Sequence, residues 1–297
     1  MATLSSLDMP RVSIIIRTKN EESGMRSLLP KIEEQTIRDV EVIMVDNDST
    51  DGAVELARAA GCRVFNIPSD SFSFGRALNI GLEEARGDIA IIISAHCLPK
   101  DEFWLEHLIG PMSEDGKIAG VYGRQIPFDD ASPIERRGLA EAFPSGDGLR
   151  MQTSEMFSNA HSAVDVSVWK NFRFDEDLTG AEDIEWCGRV RQAGYSTAYE
   201  PRSVVYHSHK ETLKGVYRRF YREALALDQF ENRYIRPFGV LGAILRWARS
   251  VCLDWKYLVT DFVSPQYLIK WFFLIPIYRS AVYYGQYKAI RITGRKR

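Results

Sequence analysis

Short apolar runs rich in β-branched residues punctuate the first third of the chain, and each stops abruptly at polar residues. Val12 to Ile16 (VSIII) runs into Arg17-Thr18-Lys19-Asn20-Glu21-Glu22, and Val40 to Val45 (VEVIMV) into Asp46-Asn47-Asp48-Ser49-Thr50-Asp51-Gly52. Cys62 to Ile67 is a third run, and Ile89 to Ile93 a fourth that ends in Ser94-Ala95-His96. Such continuous runs predict strands buried on both faces of a parallel sheet. Helical spacing fills the gaps: Met25 to Gln35 with Leu28, Leu29 and Ile32 on one face, Ala53 to Ala60 closed by Gly61, and Phe74 to Arg86 closed by Gly87. A glycine after the last turn suits the left-handed position there. The βαβαβαβ order predicts an α/β fold with right-handed crossovers. The polar clusters at Thr18, Asp46 and His96 should then meet at one sheet edge, where open α/β sheets bind ligands.

Further on, the pattern predicts a helix over Leu98 to Leu108 and a strand over Ile118 to Tyr122 that leads into Gly123-Arg124-Gln125. Pro127 to Gln152 has no periodicity and reads as a mobile connection or lid. Ser158-Asn159-Ala160-His161 precedes a Val-rich piece, and Gly180-Ala181 precedes a helix over Glu182 to Ala193. Glu182 and Asp183 fall in its first turn, where the helix dipole favours carboxylates. Thr197 to Tyr199 and Val204 to Tyr206 read as two short strands, the second running into His207-Ser208-His209, and the chain is mostly helical from Leu213. This divides the chain into an α/β domain over residues 1–225 and a helical extension over 226–297.

Charge sharpens that division. The net charge is −2, yet residues 232–297 hold 12 Lys/Arg against 2 Asp/Glu, and 14 of the chain's 34 aromatic residues. Charges interrupt every apolar run there, so a span of about 20 apolar residues is absent. Aromatic and basic helices fit the membrane interface, with Arg295-Lys296-Arg297 near anionic lipid. A helical subdomain with a solvated basic face is the other reading. The four cysteines have no CxxC spacing, which points to a reducing compartment without a zinc site. The start, MATLSSLDMPR, shows no secretory signal. A peripheral protein on the cytoplasmic, inner face of the cell membrane is the expectation. The basic excess lies among apolar aromatics without a recognition motif, which argues against nucleic acid.

Neither GxGxxG nor GxxxxGK[ST] occurs, so the two best-known phosphate cradles are missing. The strand-end residues suit a sugar transfer from a nucleotide diphosphate, which needs a base pocket, charge compensation for the leaving group and a general base. Asp46 can accept from a ring N–H of the base, with Thr18 and Asn20 bordering the same pocket. Arg76 can reach phosphate. His96 can ligate a divalent ion, with His207 or His209 as a second ligand. Asp183 is the candidate base. Each also has an ordinary structural reading: an Asx-rich turn for DNDSTDG, helix capping for Glu182-Asp183.

VSIIIRTKNEE, VDNDSTDG, GRALNIGLEEARGDIAIIISAHCLP, VYGRQIP, SNA, GAEDIEW and VVYHSH, in this order and spacing, resemble the family 2 glycosyltransferases with the GT-A fold. The likeness is greatest to bacterial rhamnosyltransferase-like enzymes of polysaccharide and O-antigen assembly, over about residues 11–225. The resemblance implies a GT-A domain with a Rossmann-like, mixed sheet flanked by helices, followed by a membrane-associating helical extension. It implies nucleotide binding by Arg17, Thr18, Asn20, Glu21, Asp46, Asn47, Arg76, Ser94 and Ala95. It implies substrate contacts from Arg124, Gln125, Asn159 and Trp186, with Asp183 as base beside Glu182. Ser94-Ala95-His96 occupies the place of the family's Asp-x-Asp metal motif, so a divalent ion (Mn²⁺ or Mg²⁺) falls to His96, His207 and His209. Inverting, non-processive transfer from a UDP- or dTDP-sugar to a lipid-linked glycan at a membrane surface follows.

The chain departs from the family pattern at several points. Both metal-motif carboxylates are gone, Asn47 stands where Asp is common, and Leu78 where many relatives carry Arg. No Gln-x-x-Arg-Trp follows Asp183, which speaks against a processive synthase. A catalytically silent GT-A-like binding module is the alternative from another class. A nucleotidyltransferase is a third, though the stretch after the first strand lacks its Gly-rich, basic character.

Overall fold

The computed structural model describes residues 12–209, 211–229, 239–261 and 264–293. MATLSSLDMPR, Phe262 and Arg295-Lys296-Arg297 lie outside the described residues. The first four predicted strands form as β1 (Val12–Thr18), β2 (Val40–Asp46), β3 (Arg63–Asn66) and β4 (Ile89–Ser94), joined by helices α1 (Glu22–Glu33), α2 (Ala53–Ala59) and α3 (Phe74–Glu84). β1 pairs in parallel with β2 and β4, and β2 with β3. Alternation along these strands divides their side chains between two cores. Ile14, Ile16, Met44, Ile91 and Ile93 pack with Met25, Leu28 and Ile32 of α1. Ile43 and Val45 pack on the other face with Ala77 of α3. Full burial of each such side chain contributes about 1.5–3 kcal/mol.

The second half completes a nine-stranded mixed sheet. It adds β5 (Leu98–Pro99), α4 (Trp104–Glu114), β6 (Ile118–Ile126), α5 (Pro133–Ala142), β7 (Arg150–Met151), β8 (His161–Asp165), α6 (Val166–Asn171), α7 (Glu182–Gln192) and β9 (Ser196–Tyr206). The strand order is β3-β2-β1-β4-β8-β6-β9-β5, with β7 also on β9. β8 lies antiparallel between β4 and β6, which brings the segment before it to the carboxyl end of β4.

Three expectations need correction. Leu98 and Pro99 pair with β9 instead of starting a helix, and α4 begins only at Trp104. Pro99 has no N–H to give a helix, and Asp101 caps the intervening turn through the Phe103 amide. The stretch read as a mobile connection contains α5, whose start is a capping signal: Ser132 Oγ accepts from the Glu135 amide at 3.2 Å, with Pro133 at the first helical position. The two strands at 197–199 and 204–206 are one strand. A bulge opposite Gly123 and Arg124 accommodates Pro201, while Arg202 closes on the buried Glu200 carboxylate at 2.7 Å.

The chain forms two compact units: residues 1–126, 143–177 and 182–207, and residues 127–142, 178–181 and 208–297. The second unit contains α8 (Leu213–Gln229), α9 (Val240–Thr260) and α10 (Pro265–Thr293). The expected boundary after residue 225 falls inside α8, and the last stretch of the second unit begins at 208. α9 and α10 share a core of Val251, Leu258, Trp271 and Ile275. The fully buried Asp254 neutralises Arg137 at 2.6 Å and Arg279 at 2.6 Å. Among the described residues no helix is long and apolar enough to cross a membrane.

Candidate active site

The ends of β1, β2 and β4 lie side by side, with Thr18 opposite Asp46 and Arg17 opposite Ser94. Thr18 is buried, and its carbonyl accepts from the Asn47 amide at 2.9 Å. Asn20 has φ 54° and ties the two loops together: its Oδ1 accepts from the Thr50 amide at 2.7 Å, and its own amide donates to Ser49 Oγ at 2.8 Å. Asn47 Oδ1 accepts from Ser69 Oγ at 2.9 Å. Asp46 is buried. One carboxylate oxygen accepts from the Ser49 amide at 2.9 Å, and the other is buried without a hydrogen-bond partner. A buried acceptor left open costs free energy until a donor reaches it.

The turn after β4 is fixed from three sides. Ser94 N donates to the Ala160 carbonyl at 3.1 Å, and Cys97 N to Ser94 O at 2.9 Å. α1 packs so closely that a Cβ on Gly24 would meet the Ala95 carbonyl oxygen at 2.4 Å. His96 Nε2 lies 3.1 Å from His207 Nε2, with the rings stacked at 5.0 Å. The outer nitrogens are held too. Glu21 Oε1 is 3.3 Å from His96 Nδ1, and Gln125 Oε1 is 2.6 Å from His207 Nδ1. Oxygen acceptors there favour the proton on both Nδ1 atoms and turn both Nε2 lone pairs toward each other. Such a donor pair fits a transition-series divalent ion, whose imidazole ligands are oriented by outer hydrogen bonds, better than Mg²⁺, which prefers oxygen. Gln125 is in turn held by its own amide on Ser158 Oγ at 2.9 Å.

Asp183 completes the edge. Its Oδ2 accepts from the Asn159 amide at 3.1 Å and its Oδ1 from the Ile184 amide at 2.9 Å. Burial of the carboxyl, reinforced by the neighbouring Glu182 carboxylate, pushes its pKa up from 3.8 to about 7. Glu182 has a different environment, with Arg17 Nη1 3.4 Å away. Arg17 lies over the Phe74 ring at 4.9 Å. Ala181, immediately before α7, has φ 58°, a conformation costly for a residue with a Cβ.

The segment Ser158-Asn159-Ala160 is therefore the hub: it holds Gln125, Asp183 and the Ser94 turn through consecutive residues. Sequence reading marked SNA as a motif and Asn159 as a substrate contact, but gave Ser158 and Ala160 no role. Asn159 is buried, and its side-chain amide nitrogen has no partner. Phe74 was read only as the start of a helix.

Several other residues have distinct surroundings. Trp186 is fully buried between Phe157 and Phe174, in the core. Arg76 is exposed, its guanidinium near the Ser71 carbonyl at 3.4 Å. Arg124 is half-buried with its Nε enclosed and unpartnered. His209 lies in the second unit, with its amide on Glu135 Oε1 at 2.8 Å. His161 is a core residue: Nε2 accepts from Trp104 Nε1 at 2.5 Å, and burial holds its pKa down to about 3.

Comparison with known proteins agrees with this geometry. The family model described as glycosyl transferase family 2 matches residues 13–172. O-antigen chain rhamnosyltransferase RfbN of Salmonella typhimurium is 30% identical over 223 residues, covering 71% of this chain and 70% of that protein. O-antigen chain rhamnosyltransferase WbaN of Salmonella anatum is 26% identical over 225 residues, covering 72% and 71%. Among solved structures, the mannosyltransferase PcManGT of Pyrobaculum calidifontis, in complex with GDP-Man and Mn²⁺, superposes with a TM-score of 0.59 at 19% identity over 93% of this chain and 87% of that one. TarS of S. aureus in complex with UDP-GlcNAc gives 0.55 at 14% identity over 97% and 92%. The chain belongs to glycosyltransferase family 2 and has the GT-A fold.

Proposed function

We propose that this glycosyltransferase is inverting and non-processive, and moves a sugar from a UDP- or dTDP-sugar to a hydroxyl of a lipid-linked oligosaccharide in bacterial surface polysaccharide assembly. The observation that carries the reading is Asp183, a carboxylate tuned to about 7 and hung on the same hub as the β4 turn. A base with a pKa near the working pH combines the right protonation state with driving force for proton transfer. Asp183 takes the acceptor hydroxyl proton as the new bond to the anomeric carbon forms and the bond to the diphosphate breaks. Glu182 is not equivalent, because Arg17 lies against it.

The open oxygen of Asp46 suits the ring N–H of uracil or thymine, with Thr18 and Asn47 bordering it. His96 and His207 would hold a divalent ion, with Mn²⁺ fitting their nitrogens better than Mg²⁺. When bound, that ion supplies positive charge against the leaving diphosphate. The lipid part of the reading is supported by the second unit. Leu241, Leu245, Ile269 and Phe273 are 61–70% exposed on α9 and α10. Asp254, the one carboxylate on these two helices, is neutralised internally. An apolar, basic surface of this kind suits the anionic inner face of a membrane.

The test is donor-dependent transfer to an undecaprenyl-diphosphate-sugar acceptor, with Asp183→Asn as control. Transfer by the parent and not by the variant supports the reading. Full activity in the variant removes Asp183 from its role, and no affinity for any nucleotide diphosphate leaves a silent module.

A further inference from the structure

Between the start of α9 and the second half of α10 lies an open groove of about 430 Å³. Ala243, Ile244 and Trp247 form one wall, and Tyr283, Tyr284 and Tyr287 the other. Its size falls within the range of about 300–1,000 Å³ usual for small-ligand sites. Polar groups on the walls are engaged within the protein. Trp247 Nε1 donates to the Pro276 carbonyl at 3.1 Å, Ser280 Oγ to the same carbonyl at 2.8 Å, and the Tyr283 hydroxyl is bonded to Ser250 at 2.7 Å. Apart from the Tyr284 and Tyr287 hydroxyls, the rest of the lining is ring and aliphatic carbon, suited to hydrocarbon.

Two cations follow the lining tyrosines. Lys288 and Arg291 come one turn after Tyr284 and Tyr287; the Lys288 ammonium lies 6.0 Å from the Tyr217 ring of α8, and the Arg291 guanidinium 5.7 Å from the Tyr287 ring. No carboxylate on α9 or α10 opposes an anion there, because Asp254 is enclosed by Arg137 and Arg279. An apolar trough ending in two cations is complementary to a long hydrocarbon chain that ends in phosphate.

We propose that this groove seats the isoprenoid tail of the acceptor's lipid carrier, with Lys288 and Arg291 at its phosphate end. The assignment rests on the lipid-linked acceptor proposed above. It differs from bilayer docking, because a tail site saturates with one dispersed ligand.

The experiment is quenching of tryptophan fluorescence in the full chain by geranylgeranyl diphosphate, with Trp247→Phe identifying the reporting residue. Saturable binding is expected, at least tenfold weaker in Ile244→Glu and in Ala243→Phe, which fills the groove without charge. Ile244 is 53% exposed, so its substitution leaves the fold intact. Leu241→Glu, 70% exposed and outside the lining, should keep parent affinity for the probe while weakening binding to phosphatidylglycerol vesicles. Inorganic pyrophosphate at equal concentration should not displace the probe. Equal affinity in the groove variants, equal loss in Leu241→Glu, or binding to vesicles with none to the probe overturns the site. Nucleotide-diphosphate affinity measured on the same samples reports separately on the transferase reading.

Discussion

Replacing Asp183 by Asn separates the chemistry proposed for this carboxylate from its energetic cost. The carboxyl pKa stands at about 7 in the folded chain against 3.8 unfolded. Between these values the folded state holds a proton that the unfolded chain has released, so stability falls as pH rises through the window. Full conversion at about 1.4 kcal/mol per unit gives roughly 4 kcal/mol lost by pH 8.5. One edge of the residue is accessible, which brings the expectation to about 2–4 kcal/mol. Asn removes this titration but turns its NH₂ toward one of the two amides that Asp183 accepts from, costing about 1–2 kcal/mol. Urea unfolding at pH 4.5, 6, 7 and 8.5 should therefore find the variant less stable than the parent at the acid end. At pH 8.5 it should be more stable, by about 1–3 kcal/mol, with a flatter profile. Its kcat should fall by about 10²–10⁴, and the parent's rate should rise with pH through 7 as the base deprotonates. Parallel stability profiles, or a variant destabilised equally at both ends, would refute the claim that the Asp183 carboxyl is held in its protonated form by burial.

Other perturbations address the remaining parts. Asp46→Asn keeps an oxygen for the Ser49 amide but presents a donor where the open acceptor lies, so nucleotide affinity measured by calorimetry should weaken by about 1–3 kcal/mol. Gln125→Leu removes the oxygen that orients His207, and Mn²⁺ affinity followed by electron spin resonance should fall by about 10- to 100-fold. Asp254→Asn leaves Arg137 and Arg279 around a neutral amide in the second unit, and chemical denaturation should show a loss of about 3–5 kcal/mol.

The strand framework was legible because its signal is local. Val12–Ile16, Val40–Val45 and Ile89–Ile93 are short, β-branched and largely apolar, as strands buried in a parallel sheet are. Their polar endings therefore pointed to one edge, and Thr18, Asp46 and Ser94 meet there. What sequence spacing does not carry is which neighbour a polar atom finds. His161 and His207 look alike as strand-end imidazoles, yet one accepts from Trp104 in the core and the other faces His96. Trp186 lies three residues after Asp183 and packs in the core beside Phe157, a contact that no spacing in the sequence announces. Glu21 was read as a nucleotide contact and lies against His96. α5 was an avoidable miss, since Ser132, Pro133 and Glu135 spell a helix start. β9 was not avoidable, because a Pro inside a strand ordinarily ends it and only the bulge opposite Gly123 lets it continue.

The central claim is that Asp46, the turn at Ser94–His96 and Asp183 border one hollow built for an activated sugar. A crystal structure with UDP or dTDP and the acceptor analogue tests this most directly. The account predicts the base ring N–H within hydrogen-bond reach of the Asp46 oxygen that now lacks a donor, the diphosphate beside His96, and the acceptor hydroxyl on Asp183. A nucleotide seated elsewhere on the chain, or one whose base makes no contact with Asp46 while Asp183 faces only protein, would contradict it.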